Sequence, residues 1–475
     1  MLLALILFPL ALAAAAFGLP ASRLRRPLLL AAGIAHAAGV ATLWARPPAP
    51  ALGGWLAVDA AGLLALSTVS AVFLVAAVYA QGYLAAHPDR DDRVFVGCLL
   101  VLLAALTAVT LAQHLGLLWV IMEVTTLTTA PLIYFRRDAL ALEATWKYLM
   151  VCSLGIAMAL LGTFLLALSS AGPGGPHSLL VADLAAAGPS LSRPWVRAAF
   201  PFLLAGYGTK MGLAPFHAWK PDAYGEAPGV LGALLAGGVT NAAFLALARV
   251  LHVCQATGDG PFARGILVGI GLLSMAVATV FIVGQRDLKR LLAYSSVEHM
   301  GILALGVGLG GGAAAGAFFH MVANGLSKGV LFLTAGNIQR AYGSKRVDEL
   351  RGAARRLPLS GPLFLLGFLA VTGSPPFAPF LSELAILSGA LRGGHPAISA
   401  AFLSLLAVIF VAMGATVLRV VPGDPGEGAV PPGFRDSALT AGPPLALLLL
   451  VLLLGLWVPA PFRELLAAAA ARVGG

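Results

Sequence analysis

The amino-acid sequence predicts an all-α integral membrane protein with about 14 transmembrane helices, arranged as two inverted five-helix repeats with discontinuous helices 7 and 12. Three observations support this fold class. Hydrophobic residues make up 59% of the chain and charged residues only 11%, whereas soluble domains carry about 25% charged residues. Apolar runs of membrane-spanning length recur along the whole chain. Two of these runs are interrupted by prolines and carry an ionisable residue beside the interruption.

The individual helices are predicted from apolar runs of about 20 residues, the length needed to cross a bilayer. They cover approximately residues 1–20, 27–45, 55–80, 94–112, 114–135, 144–169, 198–219, 228–251, 264–284, 290–309, 313–338, 359–391, 396–418 and 440–461. We therefore expect a single membrane domain, 1–475, with helices 1–3 at 1–80, one repeat at 94–251, a second at 264–418 and a final helix at 440–461.

The basic residues indicate how the chain is oriented. The net charge of +10 comes from lysines and arginines in short loops, where they set membrane topology rather than bind nucleic acid. If the 21–26 loop is cytoplasmic, 19 of the 30 Lys and Arg residues lie on the cytoplasmic side and at most eight on the other. The sequence thus predicts a multi-pass protein of the cell inner (plasma) membrane, in contact with the lipid bilayer, with both termini outside the cytoplasm and no nucleic-acid partner.

Several kinds of chemistry are not indicated by the sequence. Cys98, Cys152 and Cys254 lie on three different apolar segments, without a CxxC pair or a histidine at metal-ligand spacing. Neither a phosphate-binding GxxxxGK[ST] loop nor a strand-flanked GxGxxG motif is present. We therefore expect no cofactor, no metal site and no catalytic residue in this chain, and whether it counts as an enzyme depends on the proteins around it.

The two interrupted runs each combine prolines with a buried charge. Lys210 precedes "GLAPFHAW", and Glu383 follows "TGSPPFAPF". Unwound backbone is tolerated at membrane depth only beside protein or a water-filled cavity, so these positions are typical of an ion path. Glu123 precedes Lys210 by 87 residues, and His299 precedes Glu383 by 84 residues. This similar spacing indicates two five-helix repeats, and since five is an odd number, the second must be inverted in the membrane.

Three segments carry a specific family resemblance: "GYGTKMGLAPFHAWKPDAYGEAPG", "RDLKRLLAYSSVEHMGILALGVG" and "TGSPPFAPFLSELAIL". They closely resemble the antiporter-like proton-translocating membrane subunits shared by respiratory complex I, Mrp-type sodium/proton antiporters and group 4 membrane-bound hydrogenases. The resemblance covers roughly residues 50–420. The forms "SSVEHMG" and "SPPFAPFLSE" and the asparagine in helix 8 are most similar to the F-type membrane component of hydrogenase-4 and formate hydrogenlyase.

The resemblance implies that Glu123 and Lys210 handle protons as a pair. A buried charge costs roughly 2.5 to 3.5 kcal/mol at the bilayer centre, so such residues are used or paired. In general, burial lowers the pKa of a lysine and a nearby carboxylate raises it, so a changing separation would switch a lysine between proton acceptor and donor. The alternative for this pair is a structural ion pair that holds two helices together.

The predicted path continues as a row of side chains near the membrane centre. Asn241 replaces a lysine of many complex I relatives, and an amide can order water but cannot carry a proton at neutral pH. Glu383 is predicted to end the path, with helix capping as its alternative. The predicted proton-translocation residues are Glu123, Lys210, Asn241, His299, His320, Lys328 and Glu383.

Other residues have open roles. His299 and His320 could relay protons or form hydrogen bonds between helices. Glu298 is either the partner of His299 or a packing contact, and Lys147 is either a relay or an anchor at the cytoplasmic face. The remaining predictions are that His217 and Lys220 are exposed loop residues that shape the entrance, and that Ser382 satisfies backbone groups freed by the break.

Three functions remain open at this point. The first is a proton-translocating subunit without redox chemistry of its own, driven through other membrane subunits by soluble redox subunits of a hydrogenase or quinone-linked complex. The second is a subunit of an Mrp-type sodium/proton antiporter. The third is a purely structural membrane subunit. The buried residues are mostly Lys and His, which suits protons better than sodium.

Overall fold

Apolar helices form nearly all the secondary structure of the computed structural model, which describes residues 1–86, 91–171, 178–423 and 434–474. Within these ranges there are isolated β-bridges but no β-strand. The predicted all-α class is confirmed. The helices are α1 (Leu2–Gly18), α2 (Ser22–Ala45), α3 (Ala60–Ala85), α4 (Arg93–Leu111), α5 (Leu115–Ile133), α6 (Ala139–Ser169), α7 (Val181–Ala186), α8 (Arg193–Met211), α9 (Trp219–Glu226), α10 (Gly229–Leu234), α11 (Thr240–Ala256), α12 (Gly260–Ile282), α13 (Leu288–Leu309), α14 (Gly311–Tyr342), α15 (Ala353–Arg356), α16 (Ser360–Val371), α17 (Ala378–Arg392), α18 (Pro396–Val420), α19 (Ala438–Leu456) and α20 (Ala460–Gly474).

The helices are long and apolar because a chain in lipid must pair every backbone polar group internally. By length and composition, 10 helical segments of the described residues could cross a membrane, and α1 and α16 are shorter apolar helices. The molecule is therefore a multi-pass membrane protein. The predicted number of 14 spans is not confirmed, and the bounds of the two repeats stay a prediction.

The first predicted interruption separates α8 from α9. Helix α8 ends at Met211, and Gly212 follows with a φ of +78°, a conformation that favours glycine. The Ala214–Pro215 bond in the interruption is cis. The chain resumes helical structure at Trp219. We call residues 212–218 the first break; its presence confirms that predicted helix 7 is discontinuous.

The second predicted interruption separates α16 from α17. Helix α16 ends at Val371, Gly373 has a φ of +67°, and the Pro375–Pro376 bond is cis. Helix α17 then begins at Ala378. We call residues 372–377 the second break; predicted helix 12 is thus discontinuous as well.

A third irregularity was not predicted. Predicted helix 8 was continuous over 228–251, but a π-helical turn at Leu235–Val239 separates α10 from α11. Single π turns of this kind are frequent at functional sites because they release backbone groups from the regular ladder. Here the side-chain amide of Asn241 donates a hydrogen bond to the Gly237 carbonyl at 3.1 Å. The turn therefore places one of the predicted site residues.

The central helices are buried and the outer ones are exposed. The most apolar stretch of Gly229–Ala256 is entirely buried, and that of Leu288–Leu309 is 94% buried. The corresponding stretch of Pro396–Val420 is only 28% buried, so most of that helix is free to face lipid. The predicted site residues on α11, α13 and α14 therefore lie inside the bundle.

The C-terminal helix α20 lies beyond the last predicted helix. It packs against α3, α11 and α14. Its backbone carbonyls accept hydrogen bonds from His252 at 2.8 Å, Gln255 at 3.0 Å and Arg264 at 2.9 Å. These contacts fix α20 across the ends of the central helices. A run of alanines with two arginines was too weakly apolar to predict this element.

Candidate functional site

Most of the predicted site residues are buried in the helix bundle. Lys210, Asn241, His320 and Lys328 have no accessible surface, and His299 is 1% exposed. Glu298 and Glu383 are also buried, Glu123 and His217 are half-buried, and Lys147 is exposed. A charged or polar group in this environment is costly unless it is paired, so the partners of each residue decide what it can do.

Glu123 on α5 is held by hydroxyl groups. Thr126 donates to its Oε2 at 3.0 Å, and Ser153 on α6 donates to its Oε1 at 2.7 Å. The described residues show no ion pair between Glu123 and Lys210. The carboxylate therefore has hydroxyl partners and not the lysine that the sequence predicted as its partner.

Lys210, in the last turn of α8, has a tyrosine as its partner. Its Nζ donates to the Tyr148 hydroxyl at 2.8 Å and lies 4.9 Å from the centre of that ring. The same hydroxyl lies 2.6 Å from Thr129 Oγ1. Trp219, the first residue after the break, packs edge-on against Tyr148 at 5.0 Å. A tyrosine hydroxyl both donates and accepts, so Tyr148 is a polar contact that can pass a proton.

Tyr148 was missed, whereas its neighbour Lys147 was predicted as a relay or an anchor. The two side chains leave α6 about 100° apart, because an α-helix has 3.6 residues per turn. Lys147 is exposed and forms ion pairs with Glu143 at 2.6 Å and Asp222 at 3.0 Å. These contacts favour the anchor, and the choice between anchor and relay stays a prediction.

Two buried amides lie near the centre of the bundle. Asn241 donates to the Gly237 carbonyl and, at 3.0 Å, to the Met321 carbonyl of α14, while its Oδ1 has no partner among the described residues. Asn324 is fully buried, and neither its amide nitrogen nor its amide oxygen has a hydrogen-bond partner among the described residues. Buried polar groups are nearly always satisfied, so ordered water is the expected partner.

Asn324 was not predicted, although its spacing carried a signal. It lies four residues after His320 and four before Lys328, and positions at this spacing share one face of a helix. The three side chains therefore form a polar stripe along α14. Lys328 donates to the Leu292 carbonyl of α13 at 3.3 Å.

The histidines form a hydrogen-bonded chain between three helices. His299 Nδ1 on α13 lies 2.9 Å from His320 Nε2 on α14, and His320 Nδ1 lies 2.9 Å from Ser382 Oγ on α17. Glu298 Oε2 lies 3.9 Å from His299 Nε2 and accepts a bond from Ser295 at 3.3 Å. An imidazole carries a donor and an acceptor nitrogen, so such a chain can transfer protons along its length.

Ser382 has two roles in this chain. It donates to the Pro379 carbonyl at 2.8 Å, a local bond within α17 of the kind that serines often form in helices. Since the unpaired groups at the start of a helix are N–H donors, the predicted satisfaction of backbone groups freed by the break stays a prediction. Its oxygen also contacts His320, so it belongs to the polar chain. Glu298 Oε2 is too far from His299 Nε2 for a hydrogen bond, and that nitrogen has no hydrogen-bond partner among the described residues, so the choice between a partner of His299 and a packing contact stays open.

Glu383 lies against the second break. A side-chain carbon added to Gly373 would overlap with Glu383 Oε2, so the glycine makes room for the carboxylate. Glu383 Oε1 has no partner among the described residues. One ligand atom each of His299, His320 and Glu383 lies within 4.8 Å of the others. Two histidines and a carboxylate are donors that zinc accepts, so this group could hold a metal ion.

The prediction for Lys220 was wrong. Lys220 is fully buried and donates to the Met211 carbonyl at 2.6 Å. The break folds α9 back into the bundle, so a residue in an apparent loop points inward. His217 is half-buried beside Phe281 and Tyr294, with ring centres 6.4 and 6.2 Å away.

Two broken helices around a buried row of Lys, His and Glu side chains define an antiporter-like membrane subunit. Residues 112–409 match the family described as NADH:quinone oxidoreductase/Mrp antiporter, transmembrane, and the chain belongs to this family. It is 32% identical over 420 residues to the hydrogenase-4 component F homolog of Methylacidiphilum infernorum, with 86% of each chain covered.

Solved structures agree with this family. A chain of respiratory complex I from Thermus thermophilus with bound aureothin has a TM-score of 0.80 and 28% identity, with 100% of both chains covered. A chain of the Mrp complex from Dietzia has a TM-score of 0.86 and 23% identity, with 99% of this chain and 97% of that chain covered. The second likeness shows the fold alone. Both similar chains come from multi-subunit membrane complexes.

Proposed function

We propose that this chain is the proton-translocating membrane subunit of a multi-subunit redox complex of the group 4 hydrogenase or quinone-oxidoreductase kind. In this proposal it has no redox chemistry of its own, and partner membrane subunits connect it to soluble redox subunits. It lies in the plasma membrane with both termini outside the cytoplasm. Protons move along a line of buried and half-buried side chains, which we call the polar axis: Glu123, Tyr148, Lys210, Asn241, Asn324, Lys328, Glu298, His299, His320, Ser382 and Glu383.

The observation that carries the proposal is the chain of buried histidines beside the second break. His299, His320 and Ser382 are joined by two contacts of 2.9 Å, and all three are buried. A packed apolar interior needs no such chain, because apolar residues of similar volume would avoid the desolvation cost. Its cost in the membrane supports a role in moving a charge.

The energy required fits a charge rearrangement of this kind. Moving one proton against about 200 mV costs about 4.6 kcal/mol, since each 100 mV requires about 2.3 kcal/mol. A buried charge whose partner approaches or withdraws changes its proton affinity by an amount of this order. Glu123 and Lys210 are held by separate hydroxyl partners. A movement that brings them together, driven by the redox partners, would raise the proton affinity of Lys210 and lower that of Glu123.

The test is proton movement in the assembled complex. The complex would be purified through this chain, its partners identified, and proton uptake into liposomes measured together with electron transfer. We expect Lys210→Ala and Glu123→Gln to lower protons moved per electron at least about tenfold, equivalent to about 1.4 kcal/mol. Glu143→Gln, which removes an exposed carboxylate on α6, is the matched control and should pump normally.

Normal pumping by assembled Lys210→Ala complexes would contradict the proposal and favour a purely structural role. A second arm separates protons from sodium. We expect pumping to continue in sodium-free buffer, because Lys210, Lys328, His299 and His320 present nitrogen atoms, which suit protons better than sodium. Loss of all pumping without sodium would favour an Mrp-type sodium/proton antiporter subunit instead.

A further inference from the structure

Lys220 lies at a junction between the two halves of the polar axis. It is the second residue of α9, directly after the first break, and has no accessible surface. Its Nζ donates to the Met211 carbonyl of α8 at 2.6 Å and to the Ser296 carbonyl of α13 at 3.3 Å. Among the described residues no carboxylate forms an ion pair with it. Its Nζ also lies 5.8 Å from the centre of the Tyr224 ring. A buried ammonium with backbone carbonyls and one aromatic ring around it is poorly compensated, so it is suited to losing its proton.

Both acceptors of Lys220 adjoin another lysine of the axis. Met211 directly follows Lys210 at the end of α8. Ser296 lies four residues after Leu292, whose carbonyl accepts the hydrogen bond of Lys328. Carbonyls four residues apart lie on the same side of a helix, slightly more than one turn or about 6 Å apart. Lys220 and Lys328 therefore contact successive turns of α13, and Lys220 connects the first break to the second half of the axis.

The side-chain amide of Asn241 cannot carry a proton between the two halves of the polar axis, so another group is needed there. Asn241 bonds to the Gly237 and Met321 carbonyls and has no titratable group. Between Lys210 and Lys328, the described residues therefore offer Lys220 as a buried side chain that can take up and release a proton.

We propose that Lys220 carries protons between the Lys210 half and the Lys328 half of the polar axis, an inference that rests on the proposed function. A proton arriving through water adds to the neutral amine of Lys220 and forms the ammonium. The same proton then leaves through water to the Lys328 amine, which restores the neutral Lys220. No other bond forms or breaks.

A purely structural role makes a different prediction. A structural lysine would only satisfy the Met211 and Ser296 carbonyls, and another donor could replace it. Arginine donates to carbonyls but stays protonated in proteins, and glutamine donates without titrating. Lys220→Arg and Lys220→Gln therefore keep a donor and remove proton exchange. Having both variants covers the case in which the larger arginine does not fit.

The experiment measures assembly, electron transfer and protons moved per electron in the reconstituted complex. Both variants should assemble, and both should lower protons per electron at least about tenfold. Lys289→Met is the matched control: Lys289 is also buried and donates to a backbone carbonyl, that of Ala227, but near the start of α13 and off the axis. It should pump normally once assembled.

Normal pumping by either assembled Lys220 variant would overturn the inference, since a donor alone would then be sufficient. The same measurements on Lys210→Ala complexes separate failure of the role of Lys220 from failure of the proposed function. If Lys210→Ala loses pumping while the Lys220 variants retain it, only the role of Lys220 fails. If Lys210→Ala also pumps normally, the proposed function itself fails.

Discussion

The two breaks use the same backbone device for different chemistry. Each interrupts a predicted helix with a positive-φ glycine and a cis X–Pro bond. Beside the first break, Lys210 bonds to a tyrosine hydroxyl and Lys220 to backbone carbonyls. Beside the second, His320 bonds to another histidine and to a serine. In both places the broken backbone creates room for a buried polar group. The neighbouring side chains decide its chemistry: hydroxyl and carbonyl groups surround a lysine at the first break, and imidazoles form a chain at the second.

The largest expected effect is at the second break. His320→Leu keeps the approximate volume but removes both 2.9 Å contacts of the histidine chain. We expect protons moved per electron to fall at least about tenfold, while electron transfer becomes uncoupled or slows. The measurement is dye-monitored proton uptake by the reconstituted complex. Unchanged coupling in assembled complexes would mean that the histidine chain only packs helices.

A smaller effect is expected from the tyrosine at the first break. Tyr148→Phe removes the hydroxyl that contacts Lys210 and Thr129 but keeps the ring against Trp219. Loss of a hydrogen bond to a charged group costs about 1.5 to 3 kcal/mol, and water entering the site would offset part of this. We therefore expect a three- to tenfold loss of pumping, read from initial rates across pH. No change would show that Lys210 already has another proton partner.

Replacing the glycine of the second break should destabilise the protein, and a second glycine of similar backbone conformation serves as the control. Gly373→Ala places a carbon at a φ of +67° and against the Glu383 carboxylate. The strained conformation costs of order 1 to 3 kcal/mol, and Glu383 must move. Gly394→Ala has a similar φ of +77° but no atom within 4 Å, so it isolates the backbone cost. The melting temperature should fall more for Gly373→Ala than for Gly394→Ala. Equal decreases would show that the contact with Glu383 adds no cost.

The smallest effect is expected at an ion pair away from both breaks. Burial raises the pKa of Asp92, but hydrogen bonds from Ser22, Arg26 and Arg25 outweigh it, and the net pKa lies below its usual value. A depressed carboxyl pKa stabilises the folded state above the unfolded pKa, and this stability is lost as pH falls through the folded value. Asp92→Asn should therefore lower the melting temperature at neutral pH and reduce its dependence on pH in the acid range. An unchanged pH dependence would contradict this role.

The sequence predicted the features that depend on composition and spacing. The interruptions around Lys210 and Glu383 followed from prolines within apolar runs, and the burial of Lys328 followed from its depth in a long run. These inferences succeed because backbone satisfaction and the cost of buried charge act locally along the chain.

Other features depend on how the helices pack, and the sequence did not reveal them. Lys220 was predicted to be exposed because it follows a proline-rich interruption, yet the break turns α9 into the bundle. Tyr148 was missed because the choice between adjacent residues depends on helix rotation. The π turn at Leu235–Val239 leaves no clear trace in an apolar, glycine-rich segment. Asn324 was not predicted because it carries no charge, although its helical spacing placed it between His320 and Lys328.

The most direct measurement is a structure of the intact complex at a resolution that shows ordered water. The account predicts water within hydrogen-bonding distance of Asn241 Oδ1 and of the Asn324 amide, forming a continuous line between Lys210, Lys220 and Lys328. Dry contacts around both amides, with no water between these lysines, would contradict a proton path through the centre of the molecule.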